Sequence, residues 1–294
     1  MNKRNIAFLL AFTASLIYGV SFTVAKDVMP LHIKPYGFIL LRVGGATLLF
    51  WLISLTIPKE KIALNDFFRV FLAALFGVAV NMLTFFKGLS LTTPINGAVI
   101  MVTSPILVLL FSFMILNEKV TIKKIVGILL GMAGAITLIA YGQKALQNAP
   151  NIKWGNFLVF INAASYSLYL IIAKPLIKKY HPFHFIKWMY LMGFIMVLPF
   201  GYMQVKTAGW SSMPQIALYK IGFIVVFTTF ITYLFNLLAL KNLKPTTLSV
   251  FIYLQPLIAS LYAISVGSDN LTAIKIIGTA LIFSGVYMVS HQKK

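Results

Sequence analysis

Ten apolar segments of membrane-spanning length make up most of this 294-residue chain. A transmembrane helix needs about 20 consecutive apolar residues, and the connections between these segments are short. Only helices and closed barrels satisfy their backbone hydrogen bonds in lipid, and barrel strands would be shorter and alternating. The sequence therefore predicts an all-α polytopic membrane protein with ten transmembrane helices, at about residues 6–26, 36–56, 68–88, 94–116, 123–141, 154–174, 185–204, 219–239, 246–267 and 273–290.

Composition and charge agree with that fold class. Charged residues make up 10% of the chain, whereas soluble domains have about 25%. The formal net charge is +20, but the basic residues lie between the apolar segments and form no single cluster. This pattern is typical of anchors at an anionic lipid surface and not of a nucleic-acid-binding face. The expected partner is the lipid bilayer, with no nucleic acid, and the absence of cysteine excludes disulfides and cysteine metal sites.

The first apolar run, 6–25, follows two basic residues and in that respect resembles a signal peptide. It is longer than a usual signal-peptide core, so it is predicted to remain as the first transmembrane helix. With ten spans, the segments on the side of the N-terminus hold about twice as many Lys and Arg residues as the opposite side. The positive-inside rule then predicts that both termini are cytoplasmic.

An internal repeat is visible in the prolines and glycines. Pro245 and Pro256 lie 151 residues after Pro94 and Pro105. The same offset relates two glycine pairs, Gly127 with Gly278 and Gly134 with Gly285. The repeat predicts two halves, residues 1–148 and 149–294, each with five helices. Because five is odd, the second half must enter the membrane from the opposite side, and inverted repeats are typical of alternating-access transporters.

Several stretches of the chain resemble a known family. They are "YGVSF" (18–22), "LLRVGGATLLF" (40–50), "FFKGLSLTTPINGAVIMVTSPILVLLFSFMILNEK" (85–119) and "GILLGMAGAITLI" (127–139), with the last two repeated in the second half. Together they resemble the EamA-type exporters of the drug/metabolite transporter superfamily. The family usually has Trp where Tyr18 stands and Glu where Asp269 stands. The resemblance implies export of amino acids or other small organic metabolites across a bacterial inner membrane.

Pro105 and Pro256 fall inside predicted helices, where proline removes a backbone hydrogen bond and frees the carbonyl four residues earlier. Those carbonyls belong to Met101 and Ile252. Such a break is tolerated in a membrane only where a neighbouring helix or a cavity satisfies it. We interpret the two prolines as paired kinks that shape a central cavity, meeting near the bilayer centre; a static packing kink is the alternative.

Polar side chains inside the apolar segments predict where that cavity lies. Hydrogen-bonding groups at membrane depth tend to face a bundle interior or a cavity, although each could simply join two helices. They lie on predicted helices 1, 3, 4, 6, 8 and 9, which also line the central cavity in the family that the chain resembles. The candidate substrate-cavity residues are Tyr18, Asn81, Thr84, Thr103, Ser104, Asn162, Tyr166, Thr232, Asn236, Tyr253 and Gln255.

Ionisable residues are nearly absent from the predicted helix centres. All acidic residues and histidines fall at helix ends or in loops, so no proton relay through a buried acid is indicated. Glu118 and Asp269 could pair with nearby lysines as gates, but a solvated charge at a helix end is the preferred interpretation. Arg42 could hold a carboxylated substrate, but we expect it to snorkel towards the membrane surface.

The function that these patterns favour is secondary transport of a small-molecule substrate. No Walker sequence occurs, which excludes an ATP-driven pump. A membrane-embedded enzyme and a non-transporting scaffold are the alternatives, but no catalytic residues of an intramembrane protease lie at depth. No enzyme activity, cofactor or metal is expected.

The small-residue strip Gly127, Gly131 and Gly134 predicts close helix packing, either inside the chain or in a homodimer.

Overall fold

The computed structural model describes residues 2–29, 31–92, 94–141, 150–265 and 271–291. These residues form ten membrane helices and, among them, no strand. The helices are α1 (Lys3–Val28), α2 (Pro35–Ser54), α3 (Leu64–Leu91), α4 (Pro94–Met101 and Ser104–Leu116), α5 (Ile122–Ala140), α6 (Ile152–Lys179), α7 (Pro182–Lys206), α8 (Gln215–Asn242), α9 (Pro245–Ser249, Val250–Tyr253 and Leu254–Ser265) and α10 (Ala273–Ser290).

Nine of these helices in the described part of the chain are long and apolar enough to cross a membrane, and α9 is the further helix. The predicted fold class is therefore confirmed. The largest difference from the predicted bounds is in α6, which continues to Lys179 instead of ending at residue 174. Pro175 lies inside α6 and does not end it, since other groups in a bundle can satisfy the backbone group that proline leaves free.

Helix starts follow signals that are repeated in both halves. Thr121 and Thr272, 151 residues apart, cap α5 and α10 by accepting hydrogen bonds from the backbone N–H groups of Lys124 and Lys275. Proline occupies the first turn of α2, α7 and α9, where its missing N–H costs nothing. Local sequence thus sets these helix starts in the same way in each half.

The helices pack in reciprocal pairs. α5 packs on α10 and α2 on α7; α3 and α4 pack on α6, while α8 and α9 pack on α1. Exchanging every helix with the one five positions later reproduces this set of contacts. The chain is therefore built from two inverted five-helix repeats. The predicted boundary between residues 148 and 149 falls at the edge of a segment outside the described residues, so it stays a prediction.

The glycine strip of α5 packs against α10 of the same chain. A Cβ added at Gly134 would lie 2.5 Å from the carbonyl oxygen of Gly278, and one at Gly285 would lie 2.4 Å from that of Gly127. A Cβ at Gly131 would meet the Tyr253 ring at 2.3 Å. The strip thus serves internal packing. A homodimer remains a prediction, and it would need another surface.

Helix irregularities also occur in pairs. α3 contains a π-helical segment at Leu75–Ala79, and α8 contains one at Ile224–Ile231. α4 breaks after Met101, just before Pro105, and α9 narrows to a 3₁₀ turn at Val250–Tyr253, just before Pro256. The helices are therefore irregular just before Pro105 and Pro256, and the prediction that these sites form paired kinks shaping a central cavity stays a prediction. π-bulges often mark functional sites in helices. The region formed by these four irregular helices is therefore the candidate functional region.

The close approach of α5 and α10 gives a direct test of this packing. Gly285→Ala should destabilise the protein by about 1–3 kcal/mol, because its Cβ would collide with backbone atoms that cannot move aside. The melting temperature in detergent should fall by several degrees. Gly222→Ala is the matched control, since a Cβ there meets nothing within 4 Å. Equal melting temperatures for the two variants would contradict the packing described here.

Candidate functional site

The irregular helices expose backbone carbonyls, and serines of α1 and α6 bind them. From α6, the Ser165 hydroxyl donates to the Phe76 carbonyl at 2.7 Å, and Ser167 donates to the Ser104 carbonyl at 3.3 Å. From α1, the Ser15 hydroxyl donates to the Phe251 carbonyl at 3.1 Å. Thus the first helix of each half stabilises the broken helices of the other half.

The π-helical segments are joined to their neighbours by hydroxyl groups. The Tyr233 hydroxyl of α8 donates to the Gly77 carbonyl in α3 at 3.0 Å. The hydroxyls of Ser21 and Thr228 lie 2.6 Å apart and join α1 to α8. Thr229 donates to the Ile224 carbonyl within α8 at 2.8 Å. These polar groups all lie at the level of the two π-helical segments, inside the bundle.

The predicted polar residues at the α4 break bond their own helix. The Ser104 hydroxyl donates to the Met101 carbonyl at 2.7 Å, which is the carbonyl that Pro105 frees. Thr103 donates to the Ile100 carbonyl at 2.6 Å and keeps partial exposure. The freed carbonyl of α4 is therefore satisfied locally, so the kink does not depend on an external partner.

At the α9 break, the two predicted residues lie in different surroundings. Tyr253 is fully buried, with its ring against Gly131 and its hydroxyl without a hydrogen-bond partner among the described residues. Gln255 is half-buried, and its carbonyl oxygen lies beside Gly19 of α1. The ring of Tyr253 therefore packs against α5, while Gln255 stays accessible.

Two predicted asparagines form a pair between α3 and α6. The Asn162 side-chain amide donates to the Asn81 carbonyl at 2.6 Å, and the Asn81 amide approaches the Asn162 carbonyl at 3.5 Å. The side-chain oxygen of Asn162 is buried without a partner among the described residues. One turn along, Thr84 donates to the Val80 carbonyl of its own helix at 2.7 Å. The pair joins two helices and keeps one acceptor unused.

Tyrosines occupy the middle of the bundle. The Tyr18 hydroxyl lies close to Thr232 and Asn236, and its phenol also lies near Tyr166. Tyr18, Tyr166 and Asn236 keep partial exposure although they lie at the helix–helix contacts of α1, α6 and α8, whereas Thr232 is fully buried. This cluster brings together four of the predicted cavity residues from three helices.

Arg42 is placed differently from the prediction. It does not snorkel towards the membrane surface: its side chain is 7% exposed, and its Nε donates to the Thr229 hydroxyl at 3.1 Å. The guanidinium carbon lies 5.4 Å from the centre of the Phe86 ring. The prediction of snorkelling takes into account only how far Arg42 lies from the start of α2. α2 is packed between α7 and α8, and this packing turns the face that bears Arg42 inwards.

Glu118 is also placed differently, since it is not a solvated charge at a helix end. It is 9% exposed, and its Oε1 accepts hydrogen bonds from Lys124 Nζ and from the Thr246 hydroxyl, both at 2.6 Å. Thr246 begins α9, so this network joins α4, α5 and α9 at the end of the bundle that carries Lys3 and Ser290. Asp269, its predicted counterpart, lies outside the described residues.

Sequence reasoning missed the tyrosines of α7 and α8. Tyr190 and Tyr233 are buried with ring centres 5.2 Å apart, and both lie near the Arg42 guanidinium. In the sequence, a tyrosine on an apolar helix looks the same whether its ring faces lipid or is buried, so its spacing alone does not single out these two residues. Within the described part of the chain, no three His, Asp or Glu side chains come together as metal ligands.

An open groove on the outside of the bundle offers little to a polar substrate. Its volume is about 430 Å³, and its lining is almost entirely apolar. The Thr47 hydroxyl already donates to the Val43 carbonyl at 2.7 Å. The groove is lined by Gly44, Thr47, Leu48, Trp51, Leu191 and Phe194 of α2 and α7.

The buried Glu118 network makes a testable prediction. Lys124→Met should destabilise the protein by about 3–5 kcal/mol, because it leaves the Glu118 carboxylate buried without its cation. The melting temperature in detergent measures the loss, and the double variant Glu118→Gln/Lys124→Met should recover part of it. Lys123→Met, at the exposed neighbouring position, is the control. If the Lys124 and Lys123 variants melted together, the ion pair would have no structural role.

Comparison with known proteins gives one consistent result. The model of the EamA-like transporter family matches residues 5–140 and again 153–291. The uncharacterized transporter YyaM of Bacillus subtilis is 24% identical, covering 99% of this chain and 95% of its own length. An uncharacterized transporter of Archaeoglobus fulgidus is 26% identical, covering 97% of this chain and 98% of its own length.

More distant similarity extends to plants and to a solved structure. The WAT1-related protein At4g30420 of Arabidopsis thaliana is 29% identical over 61% of this chain and 56% of its own length. A crystal structure with 16% identity has the same fold, with a TM-score of 0.78 over 96% of this chain and 95% of that one. On the double match over nearly its whole length, the chain belongs to the EamA-like transporter family, within the drug/metabolite transporter superfamily.

Proposed function

We propose that this membrane transporter moves small organic molecules, amino acids or related amphipathic metabolites, out of a bacterial cell by alternating access. The observation that carries the proposal is the pairing of irregular helices, α3 and α4 with α8 and α9, in two inverted halves. Inverted repeats with discontinuous helices place a substrate site between the halves in secondary transporters. Relatives that are named as transporters support the inference of a transport function.

The substrate path that we propose follows the polar side chains that keep exposure inside the bundle. Ser104 and Thr232 are fully buried and their hydroxyls already bond the carbonyls of Met101 and Thr228, so these two residues are more suited to holding helices together than to contacting a ligand. The half-buried ones can contact a substrate without rearrangement. In the proposed site these are Tyr18, Thr84, Thr103, Tyr166, Asn236 and Gln255.

We propose that the structure corresponds to a state closed at the end that carries the termini. There the Glu118 network joins α4, α5 and α9. At the same end, Lys174 of α6 donates to the carbonyls of Leu240 and Leu243 at 2.5 and 2.6 Å. These bonds would have to break for the site to open at that end. If the predicted orientation holds, this is the cytoplasmic end.

Purified protein in proteoliposomes provides the test. We expect counterflow of at least one labelled amino acid or small metabolite from a broad panel, compared with empty liposomes. Flux that is unchanged by an imposed pH gradient would indicate facilitated diffusion, and gradient-driven flux would indicate proton coupling. If no compound of any charge moved, the proposed function would be wrong.

A variant ties that flux to the proposed site. Tyr166→Ala should lower flux by about fivefold, because a lost aromatic contact is worth about 1 kcal/mol. Tyr219→Ala is the matched control, since that ring is 67% exposed at the start of α8. Equal flux through both variants, at equal amounts of folded protein, would remove Tyr166 from the site.

A further inference from the structure

A positive charge lies in the interior of the bundle without a negative partner among the residues that the structure describes. Arg42 begins the third turn of α2, about 10 Å along the helix from its start. Its side chain is 7% exposed. Among the residues that the structure describes, no carboxylate forms an ion pair with it.

Two other buried charges in the described part of the chain have charged partners. Lys124 pairs with Glu118 at 2.6 Å, and Asp66 accepts from Lys179 at 2.5 Å and from the Tyr180 hydroxyl at 2.7 Å. Burying an ion without a partner is costly, and ionisable groups at membrane depth mark functional sites. The contrast sets Arg42 apart from the ion pairs that hold helix ends together.

The surroundings of Arg42 supply hydroxyl groups and aromatic faces. Its Nε donates to Thr229, and its guanidinium carbon lies 5.4 Å from the Phe86 ring centre. Its electrostatic neighbours are the phenols of Tyr18, Tyr190 and Tyr233. A guanidinium has five N–H donors. Thr229 accepts from one of them, and no other described residue accepts from the rest.

The unused donors have the geometry that carboxylates require. The two terminal nitrogens of a guanidinium bind the two oxygens of a carboxylate side by side, in short charge-assisted bonds. A single guanidinium matches a single carboxylate, so one carboxylate of a bound molecule compensates the charge of Arg42. The half-buried Tyr18 hydroxyl, near the guanidinium, could donate to the same anion.

We propose that Arg42 binds the carboxylate of the transported molecule, so that the substrate is a small monocarboxylate, such as an amino acid, with an aliphatic or aromatic body. The proposal rests on the function proposed above. Thr229 holds the side chain of Arg42 through its Nε, and the Phe86 ring lies beside the guanidinium. The competing explanation is that Arg42 only joins α2 to α8 through Thr229.

Matched acids and amides test the substrate class on the unaltered protein. Labelled leucine, phenylalanine and benzoate are compared in counterflow with leucinamide, phenylalaninamide and benzamide. We expect flux of at least one carboxylate and at least tenfold less of its amide. If amides or amines moved as well as the acids, or if only they moved, the Arg42 proposal would be wrong while the transport function stood. If nothing moved, the transport function itself would fail.

Variants of Arg42 separate binding from structure. Arg42→Gln should lower carboxylate flux at least 100-fold, whereas Arg42→Lys should keep the charge and lower it by about tenfold. Thr229→Val removes the contact between α2 and α8 and keeps the cation, so it should retain the preference for acids over amides. If Arg42→Gln kept the preference for acids over amides, Arg42 would only join α2 to α8 and the proposal would be wrong. The same conclusion would follow if Thr229→Val abolished the preference while Arg42→Lys left flux unchanged. The acid–amide comparison remains decisive if Arg42→Gln does not fold.

Discussion

The need to satisfy every backbone hydrogen bond inside the membrane is the constraint on which the rest of this structure depends. Four helices, α3, α4, α8 and α9, depart from regular α-helical geometry. In lipid such departures are tolerated only where protein groups take up the released carbonyls. Here the donors to carbonyls of the irregular helices include side-chain hydroxyls of neighbouring helices. They belong to Ser15 of α1, Ser165 and Ser167 of α6, and Tyr233 of α8. The irregular helices lie inside the bundle, against α1 and α6, although the carbonyl that Pro105 frees in α4 is satisfied within its own helix by Ser104.

This arrangement couples the two halves. α1 belongs to the first half but packs on α8 and α9, and α6 belongs to the second half but packs on α3 and α4. Neither half can rearrange its irregular helices without moving hydrogen bonds made to the other. The α5–α10 contact, where glycine backbones touch, provides a fixed seam around which such movement could occur. The polar groups that this coupling gathers, with Arg42 among them, form the site that we propose for the substrate.

Much of the fold could be predicted from the sequence, because length and hydropathy determine a membrane helix almost alone. The two proline kinks could also be predicted, since proline lacks the N–H that the helix needs. The π-helical segments could not be predicted: Leu75–Ala79 and Ile224–Ile231 carry no residue that requires them, and they depend on partners far along the chain.

The errors at the site share one physical cause. Distance from a helix end predicts exposed charges at Arg42 and Glu118, but their burial depends on which elements pack around them. Glu118 is enclosed because Thr246, 128 residues later, donates to it. The polar residues of α1, α3, α6 and α8 can be picked out as candidates because polar groups in apolar segments are rare. Which of them bond each other, as Asn81 and Asn162 do, is decided by tertiary packing.

If the irregular helices enclose a substrate site, water must reach that site from one side of the membrane. Because the chain has no cysteine, a single introduced thiol can be labelled without background. Asn236→Cys in membrane vesicles should react with a charged, membrane-impermeant thiosulfonate, and Phe283→Cys on the exposed surface of α10 should not, because lipid covers it. Failure of Asn236→Cys to react from either side of the membrane would contradict the account.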